Sequence, residues 1–539
     1  MNKFISKHNL FYASLILLPV FIFISAHYLM DQENTLTVPT GFFNGESPYY
    51  MANVRQYIDE GFSSLFYSNP FSYLKEGQRV YFQFQTFFLA IIYQFVPVDA
   101  GAIWVSFGLV FSFLLLFTAF KLFETLGISR RYIIPITFLY AWGGGIHGVV
   151  GFCSEFFSNG NLIDSIKALE KFEIADGWWM HSVGRNFLMP NYIYYHFLVM
   201  TGILFISNKS NKFLIALCFI LSFSHPFVGA QFIATVVVWL FFEKYYLNSI
   251  ESKYFSFFGA CFLLLLHVSY YFLFLKTSSE HVAQEVQWSV SPETLYENWA
   301  MRAKNFIPSY IIVFSLFFYQ IRTPKLFLRF FSNFMNRFLF SFGLVSFTLA
   351  NHEFLMKPIQ PIHFTHGMVW FPFFILGRNT LVEIIKLLRR EACKHLHKIV
   401  IVLFFTIFLF DNFAWVAKRA YQTHKGKSQT EFPLYILDKE VIEFVNKSLK
   451  NSSLVFVEDL NLGYHLAVYT SSRVYASHNI ITPDSLKRKK VQKSVILSGK
   501  VPEGINEKEV FIIREVNKER IHYGKILFQN KKHEVISIN

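Results

Sequence analysis

Runs of mostly apolar residues recur along this chain at roughly 10–30, 82–98, 102–120, 132–150, 188–207, 213–225, 227–243, 256–275, 304–321, 338–351, 364–378 and 399–416. Many approach the length of about 20 residues that one helix needs to cross a bilayer. Only 16% of the residues are charged and 53% are hydrophobic, against roughly 25% charged in soluble domains. A water-soluble core cannot absorb that excess, whereas lipid-facing surface needs no charge. The pattern predicts a mainly α, polytopic transmembrane helical bundle that crosses the membrane about a dozen times.

The basic residues say where its loops lie. A formal net charge of +14 would suit nucleic acid if it were gathered on one face. Here Lys and Arg sit between apolar runs and near the chain's end, as cytoplasmic anchors and headgroup contacts do. Membrane lipids are therefore the expected partners, and nucleic acid is not. The run 10–30 is too long for a signal-peptide core and lacks a small-residue cleavage site, so it reads as a retained first span with its basic end in the cytoplasm.

From that start, alternation puts the basic loops 208–212, 322–337 and 378–398 inside. Loops 31–81, 151–187, 276–303 and 352–363, and the tail after 417, fall outside. The basic loop 121–131 joins the inside set only if 82–98 does not cross, so that run is expected to be an interfacial or partly embedded helix. The expectation is a multi-pass protein, in a bacterial plasma membrane, with its C-terminal part outside the cytoplasm. The cysteines Cys153, Cys218, Cys261 and Cys393 form neither a CxxC pair nor a zinc-binding spacing.

After Ala417 the composition becomes that of an ordinary globular domain. Helices are expected at about 433–450, 462–469 and 483–497, with strands at 454–458, 473–476, 510–513 and 526–529. That alternation predicts a small α/β domain. The division expected is 1–416 for the membrane part and 417–539 for the soluble part.

Polar residues that could carry chemistry cluster in the outer loops. In the first, Asn44-Gly45 turns the chain, Glu46 follows, and Ser47-Pro48 opens a helix. Glu46 reads either as a cap carboxylate favoured by the helix dipole or as a reactive acid near the membrane surface. An acidic residue just after the first span, followed by Tyr49-Tyr50 and a surface helix, resembles the start of the GT-C superfamily of polytopic glycosyltransferases. Tyr67-Ser-Asn-Pro-Phe-Ser-Tyr-Leu and the helix from about Tyr81 match the usual continuation of that loop. The resemblance implies a GT-C-like bundle in which Glu46 is the catalytic acid, acting on a polyprenyl-phosphate sugar donor outside the cytoplasmic face. Many members carry paired acids here, whereas this chain has Glu46 alone, with Asp59 and Glu60 further along. On chemical grounds a carboxylate serves either as base toward the acceptor or as ligand to a divalent metal ion.

The second outer loop holds Trp178, Trp179, Tyr192, Tyr194 and Tyr195, the composition of an interfacial belt. It also holds His181 and Arg185, which are candidates for a lipid phosphate. A third cluster, His352, Glu353, Lys357, His363 and His366, crowds ionisable groups at a membrane edge, where they are costly. It resembles the late outer loop of GT-C proteins, in which basic groups face the donor phosphate. His352, Lys357 and His363 take that role by resemblance, while the histidine spacing fits no metal-ligand pattern. His225-Pro226 is expected to break a helix. In the tail, Tyr469 to Asp484 resembles an element of GT-C outer domains, with Thr482 as a helix cap, Pro483 at the first helical position, and His478 either facing a site or finishing a turn.

These readings converge on transfer of a sugar from a lipid-linked donor to an acceptor on the outer face. A transporter or flippase would predict charges inside the spans and paired repeats, whereas the spans are nearly free of Lys, Arg, Asp and Glu and no repeat is visible. A non-catalytic assembly protein on the same scaffold is the third reading.

Overall fold

The computed structural model describes residues 6–30, 36–74, 77–96, 98–171, 182–288, 307–356, 359–389, 395–425, 432–505, 509–516 and 523–538. His181, Trp178, Trp179, Lys357 and Cys393, singled out above, lie outside the described residues.

Apolar sequence becomes helix because a backbone surrounded by lipid must satisfy its own hydrogen bonds. Four helices are long and apolar enough to cross a membrane: Ala100–Thr125, Pro226–Tyr246, Phe257–Thr277 and His395–His424. Three sharply bent pairs raise the number to seven: Lys7–Ile16 with Leu18–Tyr28, Arg130–Trp142 with His147–Asn159, and Ile307–Gln320 with Pro324–Ser332. By length and composition the described residues thus supply fewer crossings than the dozen apolar runs predict.

The reason is local interruption. Between Trp142 and His147 the three glycines Gly143, Gly144 and Gly145 break the helix, and backbone N–H groups beyond Gly143 bond to other segments. Gly144 N–H donates to the Phe408 carbonyl at 2.7 Å, and Ile146 N–H to the Pro308 carbonyl at 2.9 Å. A Cβ on Gly145 would lie 2.2 Å from that Pro308 oxygen, so only glycine permits the approach. The run 82–98 contains a helix of 12 residues, Phe84–Phe95. At 1.5 Å per residue this is about 18 Å long, well short of a hydrocarbon core of about 30 Å. Its Phe88, Ile91 and Phe95 are exposed on one helical face, as an interfacial helix requires.

The described chain forms two compact units. The first comprises residues 1–25, 107–268 and 290–421, and the second residues 26–106, 269–289 and 422–539. In the second unit the loop after Tyr28 is stitched to the tail by a two-stranded antiparallel sheet, β1 (Thr37–Val38) on β2 (Leu434–Tyr435). Flanking bonds extend the seam: Ile436 N–H donates to the Leu36 carbonyl at 3.0 Å, and Thr40 Oγ1 to the Phe432 carbonyl at 3.0 Å.

The rest of the tail is an α/β domain. Strands β3 (Leu454–Val457), β4 (Arg473–Val474), β5 (Val510–Glu515), β6 (Lys525–Gln529) and β7 (His533–Ser537) make one sheet in the order β4-β3-β5-β7-β6. The β3 pairings are parallel, and β7 runs antiparallel to both neighbours. All four β3 residues are buried, and the core gathers Leu454, Phe456, Val495, Ile512 and Ile536. The elements expected in the tail appear within a few residues of their expected positions, and β7 is added to them. One boundary differs: the third helix is Ser485–Ser498, preceded by Asp484 in a left-handed conformation at φ 50°. Pro483 therefore stands outside the helix. Thr482 Oγ1 accepts the Ser477 N–H at 3.4 Å and closes a turn rather than capping.

Candidate functional site

Glu46 stands at the start of the helix Ser47–Asp59, with Pro48 in its first turn. The cap is supplied by another residue. Asn44 Oδ1 accepts the backbone N–H groups of Glu46 and Ser47, each at 2.9 Å, and the Ser47 hydroxyl at 3.2 Å. The Glu46 side chain makes no cap bond. Its carboxyl remains open to solvent, yet the protein crowded around it pushes its pKa above the usual carboxylate value by desolvation. Accessible and desolvated together describe an acid in a recess.

The neighbouring acids are already engaged. Asp59 pairs with Arg55 at 2.8 Å, and Glu60 with Arg79 at 3.0 Å and the Ser68 hydroxyl at 2.6 Å. Burial raises Asp59 to about 6 against the lowering by Arg55.

The helix that follows Glu46 carries and meets aromatic rings. Tyr50 stacks on Trp104 at 5.2 Å. Tyr57 lies 5.1 Å from Tyr67, which lies 5.8 Å from Tyr81. From the tail, helix Leu460–Tyr469 packs on helix Ser47–Asp59 and brings Tyr464. The Tyr464 ring is held edge-on by Phe71 at 5.4 Å, by Phe432 at 4.9 Å and by His478 at 5.0 Å. Its hydroxyl is buried, with no well-aligned hydrogen-bond partner among the described residues. It lies by the backbone N–H of Tyr49 and within electrostatic reach of Glu46. Burial, reinforced by the Glu46 charge, pushes this phenol well up, so it stays protonated and can donate.

His478 finishes a turn: Nδ1 accepts the N–H groups of Ile480 and Ile481 at 3.1 Å each, and the ring meets Tyr464. Burial depresses it to about 4, which keeps it neutral.

The other sequence candidates belong to the first compact unit. Arg185, in the short helix Val183–Asn186, is buried. Its Nε donates to Asn412 Oδ1 at 3.2 Å, its Nη2 to the Asp411 carbonyl at 3.3 Å, and its guanidinium lies 5.3 Å from the Trp415 ring centre. Asp411 in turn accepts the N–H groups of His147 and Gly148, both at 2.9 Å, capping helix His147–Asn159 from a distant helix. His352 uses both ring nitrogens to shape its loop, one against the Leu349 carbonyl at 2.6 Å and one accepting the Ile359 N–H at 2.8 Å.

His363 stacks on Phe227 at 4.9 Å and shares a 3.3 Å contact with His366. Burial holds His363 down at about 4, so near neutral pH it is an uncharged donor rather than a cation. His366 stacks on Tyr192 at 4.4 Å, and His196 Nε2 donates to the His366 carbonyl at 2.9 Å. His225 is a cap: its Nδ1 accepts the Val228 N–H at 3.2 Å, with Pro226 opening the next helix. The chain thus breaks there as expected.

Among the described residues no three His, Cys, Asp or Glu side chains converge to hold a metal ion.

Sequence reasoning missed Tyr464, which no local motif marks, and the cap role of Asn44, which its position ahead of Ser47-Pro48 would have signalled.

No family model matches the chain, and no curated protein sequence does. Among solved structures the chain is similar to the apo form of the Archaeoglobus fulgidus oligosaccharyltransferase, at 11% identity and a TM-score of 0.45, covering 94% of this chain and 69% of that one. It is similar to AglB from the same organism, determined with an inhibitory peptide and a dolichol-phosphate, at 10% identity and a TM-score of 0.48, covering 93% and 69%. It is also similar to the complex of the A. fulgidus enzyme with Zn and sulfate, at 11% identity and a TM-score of 0.43, covering 92% and 67%. These oligosaccharyltransferases are glycosyltransferases of the GT-C type.

Proposed function

We propose that this protein is a membrane glycosyltransferase in which Glu46 is the catalytic base, moving a sugar from a polyprenyl-phosphate donor to an acceptor on the non-cytoplasmic face. The observation that carries this reading is the state of Glu46. Asn44 has relieved it of capping, its carboxyl is accessible, and desolvation brings its pKa nearer to neutral pH, where a general base works best. In the reaction the acceptor's nucleophilic atom forms a bond to the anomeric carbon. The bond from that carbon to the phosphate oxygen breaks, the polyprenyl phosphate leaves with the electron pair, and the acceptor's proton passes to Glu46.

Two charged groups within the apolar helices, Asp411 and Glu243, are engaged in structure. Asp411 caps a helix, and Glu243 pairs with Arg337. That favours an enzyme over a transporter. The division into a membrane domain, 1–416, and an outer domain, 417–539, belongs to the same proposal, as do phosphate contacts by Arg185, His181, His352, Lys357 and His363.

The test is turnover of radiolabelled undecaprenyl-phosphate hexoses and pentoses by membranes carrying the protein. Glu46→Gln should abolish the release of labelled sugar from lipid while leaving the amount of folded protein unchanged. Retained turnover would remove Glu46 from the mechanism.

A further inference from the structure

We infer that the second compact unit carries a surface that docks on anionic lipid headgroups: exposed Val286, Ile480 and Leu486, with Lys487 and Lys490 beside them, on the side of the bilayer where the helix Phe257–Thr277 ends. The inference goes beyond the reading of Glu46 and holds whether or not that residue is catalytic.

The helix Ser485–Ser498 sets the charge. It carries Lys487, Arg488, Lys489, Lys490 and Lys493 and no acid. The first four fall in its first two turns, at the positive end of the helix dipole, where a cation is disfavoured. Arg488 turns inward to Glu280, and Lys489 Nζ donates to Asn479 Oδ1, whereas Lys487, Lys490 and Lys493 remain exposed. Asp484, exposed ahead of the helix, is the acid nearest to them in sequence.

A solvated basic face would need nothing more, but this one adjoins apolar groups. Gln287, on the helix Ser279–Trp288, gathers them. Its Nε2 donates to the Thr482 carbonyl at 3.0 Å, and its Oε1 accepts the Ser485 N–H at 3.0 Å. Gln284, one turn earlier, donates to the Ile481 carbonyl. The segments bearing Val286, Ile480 and Leu486 are therefore pinned side by side, and these three are 68%, 49% and 78% exposed. Single exposed apolar side chains are ordinary, whereas a group of them rimmed by lysine has the composition of a surface that lies in a membrane interface.

The bilayer is within reach. Only Ser278 separates the helix Ser279–Trp288 from Thr277, the end of a helix long and apolar enough to cross. At 1.5 Å per residue, Val286 is no more than about 15 Å from that end. Glu285 folds back on it, its Oε1 lying 3.0 Å from Lys276 Nζ. Headgroups extend roughly 5–8 Å beyond the hydrocarbon core, and a lysine carries its charge outward on its own stem. Lys487 and Lys490 thus complement a negatively charged leaflet, whose pull on basic groups acts over about 8 Å at physiological salt.

The test asks what touches Leu486. The full chain with Leu486→p-benzoylphenylalanine is reconstituted in nanodiscs of phosphatidylcholine, alone or mixed equally with phosphatidylglycerol. The side chain replaced is exposed, so the probe disturbs no core packing. Illumination should attach lipid at this position, with phosphatidylglycerol the preferred adduct in the mixed discs by mass spectrometry. Adding Lys487→Gln and Lys490→Gln should cut that yield on the order of tenfold, since each basic group near an anionic surface is worth several-fold in binding. Raising the salt concentration should lower it as well.

Absence of lipid adducts in both discs would overturn the docking. Equal adducts in the two discs, unmoved by the lysine changes, would overturn the role of headgroup charge. In a parallel arm soluble polyglutamate is added, and adducts to it in place of lipid would overturn the leaflet as occupant in favour of an acidic polymer. None of these readouts depends on sugar release, so failure here leaves the reading of Glu46 standing.

Discussion

Asn44 Oδ1 accepts the backbone N–H of Glu46 at 2.9 Å, and this one bond separates the position of the acid from its use. Were Glu46 the cap, its carboxylate would be consumed by the helix. With Asn44 in that place, the carboxylate is held at the helix start but left uncommitted.

Asn44→Ala should therefore reverse the assignment. Loss of the cap costs about 1 kcal/mol, seen as earlier exposure of buried Cys218 to a thiol-reactive dye on heating. The Glu46 carboxyl would then fold back onto the vacated N–H groups, lowering its pKa and reducing any sugar-release activity. Asn44→Asp keeps an acceptor in place and should retain most of both. Equal losses in the two variants would contradict the division of roles.

Gly101 approaches the first loop so closely that a Cβ would lie 1.5 Å from the Thr40 carbonyl oxygen. Gly101→Ala should displace Thr40, whose hydroxyl bonds Phe432, and so break the seam of β1 on β2. A loss of several kcal/mol is expected, on the order of the largest single-site effects. Hydrogen exchange should show deprotection at Thr37, Val38, Leu434 and Tyr435, and wild-type protection there would contradict the assignment.

Arg488 and Glu280 form a buried ion pair at 3.3 Å, in which Glu280 also accepts the Ser72 hydroxyl at 2.8 Å and Arg488 donates to the Phe71 carbonyl at 3.0 Å. Removing one partner strands the other. Arg488→Met should cost about 3–5 kcal/mol, whereas the double change with Glu280→Gln should recover part of it. A double-mutant cycle measured by thermal unfolding in lipid checks the coupling.

Acid should loosen β7 in the C-terminal sheet. Burial alone would raise the pKa of Asp438, but His533 at 2.6 Å and Lys532 at 3.0 Å outweigh it and hold the pKa below its usual value. A depressed folded-state value means that this stabilisation is fully present above the ordinary aspartate range and is lost as pH falls through the folded-state value. Hydrogen exchange in β7 should therefore rise on acidification below about pH 4, the ordinary aspartate value. Asp438→Asn should abolish that dependence, and an unchanged profile would exclude Asp438 as its source.

The sequence by itself determined that this is a membrane protein, and it determined most of the local elements. Apolar run length, Lys and Arg in the loops, and the change of composition after Ala417 are properties of short windows. The helix and strand signals of the tail lie in those windows too, which is why Leu454–Val457 and Val510–Glu515 were legible. So was the placing of Glu46 just ahead of Ser47-Pro48.

Tertiary structure decided everything that joins distant segments: β1 on β2, Asp411 capping the helix from His147, the meeting of His196 and His363 around His366, and Tyr464 beside the start of the Glu46 helix. It also divided apolar runs at Gly143–Gly145, where backbone groups found partners in other segments. Periodicity records which face of an element is apolar, but it does not record which other element will cover that face. That choice is made by packing and by the pairing of buried polar groups, and it leaves no local trace in the chain.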